Sequence, residues 1–209
     1  RQNHIRKFIQ ASTSTVYGLN APTPTPESAD TNHPTQSYAA SKKAAEVLCY
    51  SYHDLYDVDV SILRYFTVYG PAGRPDMSMF RFTRWLIEEE PLQLFGDGTQ
   101  SRGFTYLDDI ARGTIAALKP LGYEIFNLGG HEVISMNGLI AMLEEITGKK
   151  ARINHLPTNP GELLTSHANV EKARKLLNWE PKVGLEEGVT NLVEWYQKER
   201  SWAKEVSIQ

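Results

Sequence analysis

The apolar and polar positions of this chain predict strands and helices in alternation. Residues 7–12 form a short apolar run typical of a buried strand, and residues 59–65 form a second. Between them, residues 37–56 predict a long helix rich in alanine, with Ser37 as a candidate N-terminal cap. Because a strand, a crossover helix and another strand form the unit of a parallel sheet, we expect these two strands to lie parallel.

The rest of the chain continues the alternation. We predict helices over 77–89, 108–118, 135–147, 169–177 and 185–200, and strands over 91–95, 104–107, 124–128 and 152–156. Asp108 or Asp109 is expected to cap the second of these helices, and Gly148 to end the third. The fold class predicted from this pattern is α/β.

Composition and charge narrow the class of protein. The chain has 209 residues, of which 41% are hydrophobic and 22% charged, which suits a globular protein with a real core. A net charge of -3 gives no sign of a surface for nucleic acid, and no apolar run approaches the ~18 residues of a membrane span. One cysteine, Cys49, favours a reducing compartment, and the six histidines lack metal-ligand spacing. We expect a cytoplasmic protein without a metal.

Tyr38 and Lys42 carry the first candidate chemistry. Residues four apart lie on one face of a helix, so a phenol and an ammonium are expected side by side. A neighbouring cation favours the phenolate, which prepares a tyrosine for general acid/base work near neutral pH. The spacing is a weak signal by itself, because the chain holds ten tyrosines.

Hydroxyl side chains follow the first predicted strand. Ser12, Thr13, Ser14 and Thr15 stand in a row at its carboxyl end, which is where open α/β sheets bind ligands. Taken alone, such a row is more typical of a turn whose hydroxyls bond their own backbone. With the Tyr38/Lys42 pair on the next helix, a proton relay becomes the favoured interpretation.

Several segments together resemble the extended short-chain dehydrogenase/reductase family, and within it the nucleotide-sugar epimerases and dehydratases. The likeness runs from about residue 7 to about residue 193. The segments that carry it are ASTSTVYG (11–18), YAASK (38–42), LRYF (63–66), GDG (96–98) followed by Arg102, and FTYLDD (104–109).

The resemblance implies a mechanism that uses NAD. Tyr38 is expected to take the proton of the sugar C4 hydroxyl while hydride leaves C4, giving a 4-keto sugar, and Thr13 matches the position that relays this proton. Lys42 is expected to support Tyr38 and to hold the nicotinamide ribose. The implied cofactor contacts are Ser12, Tyr38, Lys42 and Phe66.

The resemblance also narrows the substrate. Dehydratases of the family usually carry an acidic residue where this chain has Ser14 and Thr15, so epimerisation is favoured. The segment 67–77 looks like that of UDP-glucuronate 4-epimerases, in which Arg74 and the hydroxyls of Thr15 and Thr67 suit the C6 carboxylate. The alternative for Arg74 is a solvated loop charge.

Other residues are implied to bind the nucleotide. The expected UDP contacts are Arg102 on the diphosphate, Gln93 and Phe95 around the uracil, Phe80 in the same pocket, and Glu162 in a Pro-Gly-Glu element. Phe80 on an amphipathic helix is more often a core residue. Glu162 stands where the family usually has aspartate.

The glycine-rich turn that seats a dinucleotide pyrophosphate is not found among the 15 glycines, and the family places it upstream of Arg1. We therefore expect the C-terminal part of a Rossmann-like NAD-binding domain (1–66 and 108–134) and a smaller nucleotide-sugar domain (67–107 and 135–209). Two alternatives stay open. One is another nucleotide-sugar epimerase, dehydratase or reductase, and the other is an inactive remnant that binds nucleotide sugar. A homodimer through helix 37–56 is a family expectation.

Overall fold

The chain has a mixed α/β architecture in the computed structural model, which describes residues 3, 5–158 and 163–208. The helices are α1 (Ser37–Tyr56), α2 (Ser78–Ile87), α3 (Leu107–Ala116), α4 (Met136–Thr147), α5 (Glu171–Leu177) and α6 (Leu185–Ala203). The strands are β1 (Lys7–Thr13), β2 (Asp59–Tyr65), β3 (Val68–Tyr69), β4 (Leu92–Phe95), β5 (Ser101–Gly103), β6 (Thr105–Tyr106), β7 (Tyr123–Leu128), β8 (Val133–Ser135), β9 (Ile153–Leu156) and β10 (Thr165–Ser166). The predicted α/β class is confirmed.

A three-stranded parallel sheet in the order β1-β2-β7 organises the first part of the fold. Its register pairs Thr13 with Tyr65 and Tyr65 with Leu128, so the last residues of the three strands are neighbours. The helix α1 makes the crossover from β1 to β2, as the sequence predicts. The carboxyl ends of the three strands therefore meet at one edge, where an open sheet binds its ligands.

Smaller sheets lie beyond this one. Strand β4 pairs in parallel with β9, β3 pairs in parallel with β6, and β5 lies between β10 and β8. The strand predicted over 104–107 is present but shorter, because β6 covers only Thr105–Tyr106 and α3 already begins at Leu107. The unpredicted strands β3, β5, β8 and β10 are two or three residues long, too short to show a period of two.

Two main cores hold the elements together. One joins buried side chains of α2, β4, α4 and α6. The other joins the three-stranded sheet to α3, α5 and Trp179. The helix α5 thus packs on the sheet, although the sequence assigns residues 135–209 to the second domain. The division into two domains stays a prediction.

Two of the predicted helix signals differ from the structure. Ser37 is not the cap of α1, because Gln36 has the extended backbone of the capping residue and Ser37 is already helical. Neither Asp108 nor Asp109 caps α3, which begins at Leu107 with Tyr106 before it. The prediction for Gly148 is confirmed: it ends α4 in a left-handed conformation with φ 67°.

Within residues 3, 5–158 and 163–208, none of the helices combines the length and the apolar character needed to cross a bilayer.

The buried carboxylate of Asp109 ties α3 to the segment before α6. Its Oδ2 atom accepts hydrogen bonds from the backbone amides of Lys182 and Val183, each at 3.0 Å, and its Oδ1 atom pairs with Arg112. The Asp109 side chain is fully buried, whereas Asp108 beside it is exposed. The Asp109 carboxylate therefore links α3 to the segment that precedes α6.

We predict that Asp109→Ala lowers the free energy of unfolding by about 2–3 kcal/mol, because it leaves two partly buried amides without an acceptor and removes the buried partner of Arg112. Asp108→Ala, the matched control in the same helical turn, should change it by less than ~0.5 kcal/mol. Urea unfolding of the full-length variants measures both. Equal losses of unfolding free energy in the two variants would contradict this linking role of Asp109.

Candidate active site

The hydroxyls of Thr13 and Thr15 lie together where β1 ends. Thr13 is its last residue and caps a single 3₁₀ turn (Ser14–Tyr17), since its Oγ1 atom accepts the Thr15 amide at 3.2 Å. The two threonine hydroxyls are 3.0 Å apart and hydrogen-bonded. The turn that the sequence allowed as an alternative is present, and it gathers the hydroxyls at the carboxyl edge of the sheet.

Tyr38 and Lys42 lie on the first turns of α1, as their spacing predicts. The Tyr38 side chain is 48% exposed, so its phenol is open to a ligand. The Lys42 ammonium lies 5.8 Å from the centre of the Tyr38 ring and donates to the carbonyl of Ala11 at 3.0 Å. Because Ala11 stands two residues before Thr13, the phenol, the ammonium and the two hydroxyls belong to one region of the molecule.

Ser12 faces the interior. Its side chain is 3% exposed, and its hydroxyl donates to Glu46 Oε1 at 2.5 Å. A cofactor contact from this residue would therefore come from its backbone. Phe66, which follows β2, is also buried and packs against the ring of Tyr17. The cofactor roles of both residues stay predictions.

A buried ion pair, which the sequence did not predict, lies behind these groups. Arg64 and Glu46 are each 2% exposed and meet through two hydrogen bonds of 3.0 and 2.8 Å. Arg64 also donates to the Tyr17 hydroxyl at 3.0 Å, and that hydroxyl donates to Asn127 at 2.6 Å. Two signals were available in the sequence: an arginine inside an otherwise apolar strand, and a glutamate spaced four residues after Lys42.

The surroundings of Arg64 keep it charged. Burial opposes its charged form, yet the hydrogen bonds that it donates to Glu46 and Tyr17, together with the charge of the Glu46 carboxylate, leave the pKa of Arg64 raised. Burial likewise raises the pKa of the Tyr17 phenol. The guanidinium therefore stays charged and Tyr17 stays a neutral hydrogen-bonding phenol.

Arg74 lies in the loop between β3 and α2, with its side chain 68% exposed. It holds Asp76 with a fork of two hydrogen bonds, Nε to Oδ1 at 3.1 Å and Nη2 to Oδ2 at 2.5 Å. That hydrogen bonding lowers the pKa of Asp76 and raises the pKa of Arg74, to which the nearby Tyr38 adds a smaller effect. The guanidinium thus already holds a carboxylate.

The predicted nucleotide contacts fall into two groups. Gln93 and Phe95 are exposed on one side of β4, while Leu92 and Leu94 are buried on the other. Phe80 is a core residue, 4% exposed, with its ring against Trp195 and Tyr196. The core alternative for Phe80 is thus what the structure shows.

The other predicted substrate residues are partly buried or outside the described part. Arg102 is half-buried in β5 and donates to the carbonyl of Ser101 at 2.8 Å. Thr67 is half-buried after β2, and its carbonyl accepts the amide of Thr105 at 2.8 Å. Glu162 lies outside the described residues. The binding roles of all these residues stay predictions.

Two features lie apart from this chemistry. An apolar groove of about 370 Å³ between β1 and α1 is lined by Phe8, Leu48 and Cys49 among others, and contains none of the predicted site residues. Among the residues that the structure describes, no group of three His, Cys, Asp or Glu side chains could hold a metal ion. The candidate site is therefore the open edge at Thr13, Thr15, Tyr38 and Lys42.

A parallel sheet with a phenol, an ammonium and hydroxyls at its carboxyl edge is the architecture of a dinucleotide-dependent enzyme of the short-chain type. The model of the NAD dependent epimerase/dehydratase family matches residues 1–129, and the chain belongs to that family.

Particular relatives are similar over nearly the whole chain. It is 51% identical over 205 residues to the UDP-glucuronate 4-epimerase of Thermodesulfobacterium geofontis, covering 98% of the chain and 63% of that relative. The solved UDP-glucuronic acid 4-epimerase from Bacillus cereus, in complex with UDP-glucuronic acid and NAD, has a TM-score of 0.88 and 42% identity over 94% of the chain and 63% of its own. The UDP-glucose 4-epimerase of Thermotoga maritima, with UDP-glucose, has a TM-score of 0.90 and 33% identity over 95% and 66%. The chain spans less than two thirds of the length of each.

Proposed function

We propose that the protein containing this chain is an NAD-dependent epimerase that inverts C4 of a UDP-sugar, converting UDP-glucuronate to UDP-galacturonate through a 4-keto sugar. One observation carries the proposal. The exposed phenol of Tyr38 stands beside the Lys42 ammonium, which donates to the carbonyl of Ala11 two residues before the hydrogen-bonded pair of Thr13 and Thr15. Relatives at 51% and 42% identity that bear the name of this epimerase support the choice of substrate.

The residues present suit the nicotinamide half of NAD. A phenol and an ammonium at the carboxyl edge of parallel strands are donors of the kind that hold a ribose, and Tyr38 and Lys42 would do so here. Ser12, through its backbone, and Phe66 would line the same place. When bound, NAD supplies the acceptor and donor of hydride at sugar C4.

The chain's own residues handle the proton. Tyr38 would accept the proton of the C4 hydroxyl and return it once the keto sugar has presented its other face. Lys42 stabilises the phenolate that forms in between, because an ammonium one helical turn away favours an anion. Thr13, hydrogen-bonded to Thr15 at 3.0 Å, would connect the sugar hydroxyl to the phenol.

Arg74 would bind the carboxylate of the uronate. Its present partner Asp76 is held in an exposed fork, and exposed ion pairs contribute only ~0–1 kcal/mol, so a substrate carboxylate can replace it at small cost. The hydroxyls of Thr15 and Thr67 would complete this site. Ser14 and Thr15 provide no carboxylate there, which argues against a dehydratase.

We assign the cofactor and the substrate to two parts of the chain. The sheet region (1–66 and 108–134) would bind NAD, and the region 67–107 with 135–209 would bind the nucleotide sugar through Arg102, Gln93, Phe95 and Glu162. The helix α5, which packs on the sheet, is the exception within this division. We infer a cytoplasmic location from the free thiol of the single cysteine, Cys49.

The first test is turnover by the full-length protein with UDP-glucuronate and NAD, with UDP-galacturonate separated by chromatography. Tyr38→Phe should lower kcat by about 10²–10⁴-fold, since it removes the acid/base group. The control Tyr50→Phe removes another exposed phenol of α1 and should leave kcat unchanged.

Other products separate the alternatives. Conversion of a different nucleotide sugar, or release of a dehydrated or reduced sugar, would replace the epimerase assignment by another activity of the family. Binding of UDP-sugar without turnover in the wild type would favour the inactive remnant.

A second prediction concerns substrate choice. Arg74→Ala should lower kcat/KM for UDP-glucuronate by about 10–100-fold, the worth of a charged hydrogen-bonded pair, and that for UDP-glucose by less than ~3-fold. Arg74→Lys keeps the charge but loses the fork. Its kcat/KM for UDP-glucuronate should lie between those of the wild type and of Arg74→Ala. Equal losses for both sugars would show that Arg74 does not read the carboxylate.

We further propose that the protein is a homodimer through α1. The outer face of this helix exposes Val47 and Leu55, at 53% and 66%, eight residues apart and so on one stripe. Val47→Glu with Leu55→Glu should halve the mass measured by sedimentation. The control Leu118→Glu, 58% exposed after α3, should leave it unchanged. A monomeric wild type would refute the dimer.

A further inference from the structure

Glu46 shares a stripe of α1 with the candidate catalytic pair. Tyr38, Lys42 and Glu46 follow one another at intervals of four residues, so they lie along one face of the helix. The first is half exposed, whereas Glu46 is 2% exposed. The same stripe therefore runs from the ligand edge into the interior.

Two neighbouring residues of β1 bind this stripe. The carbonyl of Ala11 accepts the Lys42 ammonium at 3.0 Å, and the hydroxyl of Ser12 donates to Glu46 at 2.5 Å. Both residues directly precede Thr13. The helix is thus fixed to the strand at two points within two residues of the threonine.

Arg64 joins a second strand and the 3₁₀ turn to the same carboxylate. It is the register partner of Ser12 in the parallel pairing of β1 with β2, and both side chains bond Glu46. Its third nitrogen donates to the Tyr17 hydroxyl at 3.0 Å and to the carbonyl of Glu27 at 3.2 Å. Tyr17 ends the turn that Thr13 begins.

The energetics of such a pair indicate a role beyond stability. Removing two charges from water costs several kcal/mol per ion, and packed apolar side chains of similar size often stabilise a fold as well or better. Glu46 and Arg64 are both 2% exposed, so both charged groups lose nearly all contact with water on folding. What the pair provides, and apolar residues would not, is directional hydrogen bonds to α1, β1, β2 and the turn.

We propose that Glu46 and Arg64 are positioning residues for catalysis, which set the rotation and height of α1 so that Tyr38 and Lys42 face Thr13. This inference rests on the proposed epimerase function. It names two residues that touch neither the sugar nor the cofactor and act through Tyr38, Lys42 and the turn.

The test compares a single with a double substitution in the full-length protein. Glu46→Met leaves Arg64 buried without its partner and should lower the melting temperature clearly. Glu46→Met with Arg64→Met removes both charges and should recover most of that loss. We expect kcat of the double variant to stay about 100-fold below wild type, with KM for UDP-glucuronate within ~3-fold, because small misplacements of catalytic groups have effects of that size.

The comparison of melting temperature with kcat in these variants tests the positioning role. A double variant that regains both the melting temperature and kcat would overturn the proposal. Should the double variant not fold, Ser12→Ala decides instead, since it removes one helix-to-strand contact and keeps the ion pair. It should lower kcat about 10-fold, with a smaller loss of melting temperature than Glu46→Met causes. An unchanged kcat would equally overturn the proposal.

Lys7→Met is the matched control. Lys7 pairs with Asp59 at the opposite end of the same two strands, so its loss weakens β1 and β2 without reaching the stripe. It should lower the melting temperature and leave kcat within ~2-fold. A loss of kcat as large as in the double variant would show that any weakening of these strands is enough, and would overturn the positioning role.

A readout without substrate separates this inference from the proposed function. In protein labelled with ¹³Cζ-tyrosine, the Tyr38 resonance is assigned by its absence in Tyr38→Phe. It should shift in the double variant and stay in place in Lys7→Met. If the wild type does not epimerise UDP-glucuronate, the proposed function fails while this shift still tests the positioning. An unmoved resonance in the double variant overturns it.

Discussion

The bidentate ion pair between Glu46 and Arg64 is the constraint to which the candidate site is tied. A charge buried in a protein has to be matched by hydrogen bonds and an opposite charge, and that requirement admits few arrangements. Here it joins the crossover helix to both strands that it connects, and through Tyr17 to the turn after β1. The sheet supplies parallel strand ends, and the ion pair fixes α1 against the two strands that carry them.

Much of the first half of the fold was predictable because its signals are local. The helix α1 covers the predicted residues 37–56, and β2 the predicted residues 59–65, since each has a strong pattern of its own. The predictions failed where contacts with a segment distant in the sequence determine the structure. Asp109 looked like a helix cap, yet its acceptor atoms are used by amides 73 and 74 residues away. The short strands exist only because their partners are held in place by the rest of the molecule.

The candidate site divides in the same manner. Tyr38 and Lys42 could be paired from their spacing, because a helix sets the distance between residues four apart. Glu46 continues that spacing, but its burial depends on Arg64 and Ser12, which are 18 and 34 residues distant. Phe80 could not be placed from its helix alone, since the rings of Trp195 and Tyr196 that cover it come from the far end of the chain.

Two arginine forks of similar geometry in this molecule differ in their surroundings. Arg64 and Arg74 each hold a carboxylate through Nε and Nη2. At 2% exposure the first pair has no water to replace a lost partner, so breaking it leaves an uncompensated charge and the pair is permanent. At 68% exposure for Arg74 and 42% for Asp76, water can solvate either group, and the second pair exchanges partners easily. Under the proposed function, the buried fork would hold the acid/base group in place, and the exposed fork would accept and release the carboxylate of the sugar.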